Sequence, residues 1–200
     1  MGTELESSNG PMPKHCNPIV DRLQLSLAEA AQNGDSVGLL LVHAAAVDRI
    51  DALHGFDAGD RMSNAVAELL RMKALRARDA MEPLSRDEFA CVLRPASSEG
   101  IAILAANRVM KVLSPPMDFS GMAITPDVAV GIAMFPEQAD DAGQLLQRAK
   151  HALHDARSHR DRISLYAPPP QGAAAIDQLE YENQLRLAIE QNVLALYFQP

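Results

Sequence analysis

Hydrophobic positions recur at two spacings along the chain, and these spacings predict alternating helices and strands. Residues 17–36 carry apolar side chains three or four positions apart, which is typical of a helix with one buried face. From Val37, a continuous apolar run through Val47 predicts a central strand that is buried on both faces. A second helix is predicted from Asp60, and alternation from Phe89 predicts a half-buried strand in a hairpin that turns at Ser85 and Arg86.

The same alternation continues in the second half of the chain. Residues 97–113 predict a third helix with a serine-rich start, and residues 140–160 predict a fourth. Residues 118–135 predict two strands that break at Thr125 and Pro126, because proline cannot donate to a central ladder, and residues 161–166 predict a short last strand. The order of elements predicts an α/β fold with a mixed central sheet flanked by helices.

Composition divides the chain into four parts. Residues 1–16 are polar and rich in Ser, Gly and Pro, which predicts a flexible N-terminus, and residues 17–166 form the predicted α/β domain. Residues 167–175, APPPQGAAA, are typical of a linker. Residues 176–200 predict a helix and one apolar strand, and we expect the rest of that strand's sheet to lie outside this sequence.

Charge and composition exclude several classes of protein. The chain is 48% hydrophobic and 22% charged, which is typical of a globular protein. Its formal net charge of −8 argues against a nucleic-acid partner. No apolar run is long enough to predict a membrane span, and the N-terminus does not resemble a secretory signal. Cys16 and Cys91 lack metal-site spacing, and Cys91 is predicted to be a buried free thiol, so we expect a cytoplasmic protein.

Five segments, in order along the chain, carry a resemblance to known signalling domains. They are GFDAGD, SRDEFACVL, VAVGIAMFP, LLQRAKHALHDAR and ENQLRLAIEQNVLALYFQP. Residues 17–166 resemble the GGDEF domain of diguanylate cyclases. Residues 176–200 resemble the first helix and strand of an EAL domain, which is a cyclic di-GMP phosphodiesterase. The resemblance implies a nucleotide-cyclase-like fold.

The resemblance also implies where a cyclase would hold its metal ions. In the family, two domains each hold one GTP, and the 3′-hydroxyl of each attacks the α-phosphate of the other, with carboxylates binding the cations. The first metal position corresponds to His43 and the second to Asp87, and magnesium prefers oxygen to imidazole. The glycine pair of the signature turn is replaced, which leaves the remnant Ser85, Arg86, Asp87, Glu88 and Phe89.

The substrate positions of the family are also altered. The asparagine that reads guanine corresponds to Asp51, its partner acid to Asp60, and a phosphate-binding lysine to Arg157. These three residues are the expected remnants of a GTP site. Arg86 stands where the family has a glycine of positive φ, which predicts backbone strain at this residue. An alternative is that Arg86 contacts phosphate in a rearranged nucleotide site.

A second nucleotide site of the family is better matched. An Arg-x-x-Asp motif five residues before the glycine pair binds the product cyclic di-GMP as an inhibitor, and Arg76 and Asp79 fall at that spacing. An arginine fork can bind a guanine edge or a phosphate, and Asp79 could accept from guanine. Arg108 is a candidate second cation. The alternative is a solvated helix end whose arginine complements the helix dipole.

The hypothesis from sequence is therefore a catalytically inactive GGDEF module that regulates an adjoining EAL domain. Its expected partners are cyclic di-GMP or GTP, its own EAL domain and a second copy in a homodimer. No cofactor is required, and Mg²⁺ is expected only if GTP binds. Two alternatives stay open, namely residual diguanylate cyclase activity and a ligand-free dimerisation scaffold. The full-length protein could be a cyclic di-GMP phosphodiesterase.

Overall fold

A computed structural model describes residues 18–119, 121–168 and 187 of the chain. The predicted flexible N-terminus, residues 1–16, lies outside these described residues. The predicted linker also lies outside them except at positions 167 and 168, and so does the predicted EAL segment, residues 176–200, except at position 187. The chain divides into two compact units, Met1–Tyr166 and Ala167–Pro200. The first unit holds the helices and strands of the fold.

Five α-helices and seven strands are present among the described residues. The helices are α1 Pro18–Asn33, α2 Ala46–His54, α3 Phe56–Leu69, α4 Glu99–Leu113 and α5 Ala142–Ser158, and a π-helical turn, Leu70–Ala74, extends α3. The strands are β1 Val37–Ala44, β2 Ala80–Pro83, β3 Glu88–Leu93, β4 Met117–Phe119, β5 Met122–Ile124, β6 Val128–Phe135 and β7 Ile163–Leu165. No helix within these described ranges combines the length and apolarity that a membrane crossing requires.

A five-stranded mixed sheet in the order β2-β3-β1-β6-β7 forms the centre of the unit. Its pairings are antiparallel except for that of β6 with β7, which is parallel. Alternate residues of β1 enter two cores: Leu40 and Val42 pack with α2, α3 and α4, whereas Leu39 and Leu41 pack with α1 and α5. The predicted α/β class, with helices on both faces of a mixed sheet, is confirmed.

One helix was missed in the sequence because its first turn is as apolar as the strand before it. The run predicted as a single strand through Val47 is divided in the structure, where β1 ends at Ala44 and α2 begins at Ala46. Val47 is fully buried at the start of α2, which accounts for the continuous apolar pattern. The helix predicted from Asp60 begins at Phe56, after Gly55 turns the chain with φ 83°.

Two strand predictions also need correction. The prediction of a half-buried strand from Phe89 was wrong, because β3 pairs with both β2 and β1 and is buried from Phe89 to Leu93. Residues 118–135 were predicted to hold two strands, but the region holds three, because β4 and β5 form a separate two-stranded sheet. Cys91 lies fully buried in β3, where burial raises the pKa of its thiol to about 12.

Candidate functional site

The turn between β2 and β3 is a four-residue loop that does not require glycine. The N–H groups of Leu84 and Ser85 both donate to the Glu88 carbonyl oxygen, at 2.9 and 3.2 Å. Among the described non-glycine residues, positive φ occurs at Asp127 and Arg162. The predicted strain at Arg86 was therefore wrong, because a loop of this length reverses the chain without a left-handed residue there.

The side chain of Arg86 lies across the space between the turn and the start of α3. Its Nη1 and Nη2 donate to the two carboxylate oxygens of Asp51, at 2.5 and 3.0 Å. Its Nε donates to Asp60 Oδ1 at 2.7 Å, and Nη2 also donates to the Phe56 carbonyl oxygen at 2.7 Å. One guanidinium thus engages Asp51 and Asp60, the two acids that the family resemblance assigned to guanine recognition.

The surroundings of Arg86 hold this arrangement in place. The guanidinium carbon lies 5.2 Å from the centre of the Phe56 ring, within cation–π range. Burial lowers the pKa of Arg86, but the carboxylates of Asp60 and Asp51 outweigh it and leave the pKa above its ordinary value. Gly59 leaves room for the cluster, because a Cβ at this position would overlap the Asp51 carboxylate.

The two predicted metal positions are paired with each other. His43 is 5% exposed near the end of β1, and its Nε2 lies 3.2 Å from Asp87 Oδ2. The other oxygen of Asp87 accepts from Ser85 Oγ at 2.6 Å, and Ser85 Oγ in turn accepts from the Glu88 N–H at 3.1 Å. Each oxygen of the retained carboxylate therefore already has a partner within the protein.

This donor set does not fit the magnesium ions of a cyclase. Magnesium takes oxygen ligands in octahedral geometry, whereas the site offers one carboxylate and one imidazole. Within the described residues, no three His, Cys, Asp or Glu side chains are grouped as a metal site would require. Arg157, the remaining residue of the expected GTP site, is exposed in the last turn of α5.

The second predicted site contains a closely bound Arg76–Asp79 pair. Arg76 Nε and Nη2 donate to the two Asp79 oxygens, each at 2.9 Å. Asp79 also accepts from the backbone N–H of Arg76 at 2.9 Å and of Arg94 at 3.3 Å. The Asp79 side chain is 2% exposed and that of Arg76 is 40% exposed. Asp79 therefore fixes the direction of an accessible guanidinium.

The pKa values of this pair agree with the geometry. Burial by itself raises the pKa of Asp79, but the hydrogen bonds from Arg76 and Arg94 outweigh it, so the pKa lies below its ordinary range. The hydrogen bond to Asp79 raises the pKa of Arg76. The pair is ionised at neutral pH.

A cleft of about 180 Å³ joins this pair to α4. Arg76, Asp79 and Arg108 line it together with the apolar side chains of Ala74, Ile101, Leu104 and Ala105. Arg108 Nε donates to the Lys73 carbonyl oxygen at 3.0 Å, which uses one edge of the guanidinium and orients the rest. The structure thus places all three residues of the predicted cyclic di-GMP site around one opening with an apolar wall.

Phe56 and Gly59 are parts of the Arg86 cluster that no sequence pattern indicates. Phe56 supplies a carbonyl acceptor and a ring face, and it was recognisable only as the residue in the histidine position of the GFDAGD segment. Gly59 belongs to the same segment. Sequence gave no signal that Arg86 would contact them, because the contact crosses more than 25 residues of chain.

Comparisons with known proteins place these features in a family context. Residues 18–162 match the family described as Diguanylate cyclase, GGDEF domain. Two Pseudomonas aeruginosa proteins are similar to the chain: the cyclic di-GMP phosphodiesterase NbdA, 28% identical over 76% of the chain, and the bifunctional diguanylate cyclase/cyclic di-GMP phosphodiesterase MucR, 26% identical over 90%. The chain covers 19% and 26% of their lengths. The crystal structure of the GGDEF domain of TpbB from the same organism matches with a TM-score of 0.70 and 28% identity, over 75% of this chain and 94% of that one.

Proposed function

The chain belongs to the GGDEF domain family of diguanylate cyclases, and on that premise we propose that it is a catalytically inactive member. Its role in a cyclic di-GMP signalling protein is to bind cyclic di-GMP between Arg76 and Arg108 and thereby to regulate an adjoining EAL domain.

The contacts of Arg86 carry the first half of this proposal. A cyclase must admit a guanine base and two cations, yet Arg86 occupies both carboxylate oxygens of Asp51 and one of Asp60. His43 and Ser85 occupy the two oxygens of Asp87 in the same way. Phosphoryl transfer depends on metal ions to neutralise developing charge, and a single carboxylate that is already paired is a poor ligand for them.

The cleft beside Arg76 supports the choice of ligand. Cyclic di-GMP carries two phosphates and two guanine bases, and arginine forks bind both groups through paired hydrogen bonds. Arg76 and Arg108 present two cations, and Leu104 supplies apolar surface for a base. GTP, the other expected ligand, is disfavoured because Arg86 already holds both oxygens of Asp51 and one oxygen of Asp60.

A hydrogen-bonded connection from α4 to the end of the first unit supports a regulatory role. Gln138 Nε2 donates to Glu99 Oε1 at the start of α4, at 3.2 Å, and to the Tyr166 carbonyl oxygen at 3.0 Å. Tyr166 is the last residue of the first unit. Since α4 also lines the cleft through Arg108, a ligand that shifts α4 would change the hydrogen bonding of Tyr166.

An adjoining EAL domain is the expected recipient of this signal. NbdA is named as a phosphodiesterase and MucR as a bifunctional enzyme, and this chain covers only part of each. The resemblance of residues 176–200 to the start of an EAL domain agrees with a protein of that type. In such a protein, ligand binding to the GGDEF domain would act on the EAL domain through the linker of residues 167–175.

Replacing Arg76 with alanine is expected to weaken cyclic di-GMP binding about tenfold to a hundredfold, because a bidentate arginine contact contributes about 1–3 kcal/mol. Isothermal titration of both proteins with cyclic di-GMP measures this effect. Arg78→Ala is the matched control, since it removes an arginine two residues away that lines a different cleft. The proposal fails if the unaltered protein does not bind, or if both variants bind equally well.

A further inference from the structure

The acceptors around Arg86 form a pocket for a planar donor edge. We propose that Arg86 is a built-in occupant of a guanine pocket and keeps this pocket closed to guanine nucleotides. This inference rests on the proposed loss of cyclase activity. It adds which ligand the space filled by Arg86 would accept and that this ligand would bind once Arg86 is removed.

The pocket is defined by four oxygen acceptors. They are the two carboxylate oxygens of Asp51, Oδ1 of Asp60 and the carbonyl oxygen of Phe56, and all four receive N–H groups from the one guanidinium at 2.5–3.0 Å. Gly59 lies beneath Asp51 without a side chain to obstruct it. A site made only of acceptors, three of them carboxylate oxygens, selects a ligand edge made only of donors.

Among the nucleobases, guanine has an edge made only of donors. Its N1–H and its exocyclic amino group flank one carbon atom, so the base presents the same N–C–N donor unit as the arginine side chain. A carboxylate can accept both groups side by side, as the Asp51 carboxylate does from Arg86. Adenine presents a ring acceptor beside its amino group, and a carboxylate repels that acceptor.

Arg86 outcompetes a free base because it is tethered next to the pocket. A tethered group acts at an effective concentration of about millimolar or higher. It also adds a full positive charge between Asp51 and Asp60, which a neutral base cannot supply. Binding of a nucleotide would require displacement of this side chain and would leave its charge without partners.

The test is a titration of the unaltered protein and of Arg86→Gly with GMP in the absence of metal ions. GMP carries the base without a triphosphate, so the measurement does not depend on a cation site. We expect GMP to bind Arg86→Gly about tenfold more tightly or better than it binds the unaltered protein. AMP should discriminate little between the two proteins, and Asp51→Ala in the Arg86→Gly background should abolish the gain.

Arg86→Gln keeps a polar side chain at the turn and is measured in parallel in case the glycine variant does not fold. Equal GMP affinity in the unaltered protein and in a folded Arg86 variant would overturn the inference, as would an equal gain for AMP. Cyclic di-GMP is titrated into the same proteins as a separate measurement of the cleft at Arg76. If cyclic di-GMP does not bind but GMP binds as expected, the proposed ligand of that cleft is wrong and the inference about the guanine pocket is unaffected.

Discussion

Replacing Gly131 with alanine is expected to lower the free energy of unfolding by about 3 kcal/mol. Gly131 lies in β6, directly under α5. A Cβ on this residue would stand 2.5 Å from the Ala149 carbonyl oxygen and 2.5 Å from the Leu153 Cα, closer than non-bonded atoms approach. Both neighbours are helix backbone, so α5 would have to move away from the sheet. Urea denaturation of the two proteins measures the difference.

Gly100→Ala is the matched control for this measurement. Gly100 lies in the first turn of α4, and a Cβ there would meet nothing nearer than Ser98 Oγ at 3.7 Å. Alanine is favoured over glycine in a helix by up to about 1 kcal/mol, so this variant should be as stable as the unaltered protein or more so. Equal stabilities for the two variants would contradict the close packing of α5 on β6.

Replacing His43 with aspartate is expected to make the stability of the protein depend on divalent cations. The substitution places a second carboxylate beside Asp87 at a position that is 5% exposed. Two nearby carboxylates repel each other, and without metal the variant should lose about 2 kcal/mol of stability. Millimolar Mg²⁺ should restore about 1 kcal/mol or more by binding the folded state, whereas the unaltered protein should not respond. Thermal unfolding in Mg²⁺ and in chelator measures both effects.

His43→Asn serves as the control because it removes the pair with Asp87 without adding a charge. It should be destabilised and remain insensitive to Mg²⁺. If His43→Asp and the unaltered protein respond equally to Mg²⁺, then the second carboxylate creates no cation site beside Asp87, and the imidazole of His43 is not what makes this position unsuitable for Mg²⁺.

The fold was largely predictable because its elements follow local rules. The apolar periodicity of α1 and the double-sided burial of β1 are both visible in sequence, since each depends on residues that are neighbours along the chain. Errors arose where two elements share one pattern. The first turn of α2 continues the apolar run of β1, and the burial of β3 depends on partners on either side of it that are distant in sequence.

The candidate site was predictable in its residues and not in its contacts. The resemblance to a family identified Asp51, Asp60 and Arg86 separately and did not show that their side chains are in contact. Arg86 was expected to be a strained replacement for glycine, because nothing local shows that the loop from Leu84 to Asp87 avoids positive φ. Its guanidinium reaches residues 26–35 positions earlier in the chain, and only the packing of α2 and α3 beside the turn brings these acids within reach.

The most direct test asks whether the protein's own side chains block the GTP and metal positions of a cyclase. The protein is incubated with GTP and Mg²⁺, and the nucleotides are then separated by chromatography. An active diguanylate cyclase under the same conditions provides the positive control. Because Arg86 engages Asp51 and Asp60 while His43 engages Asp87, we expect no cyclic di-GMP above the protein-free background. Sustained formation of cyclic di-GMP that is lost when Asp87 is replaced by alanine would contradict this result.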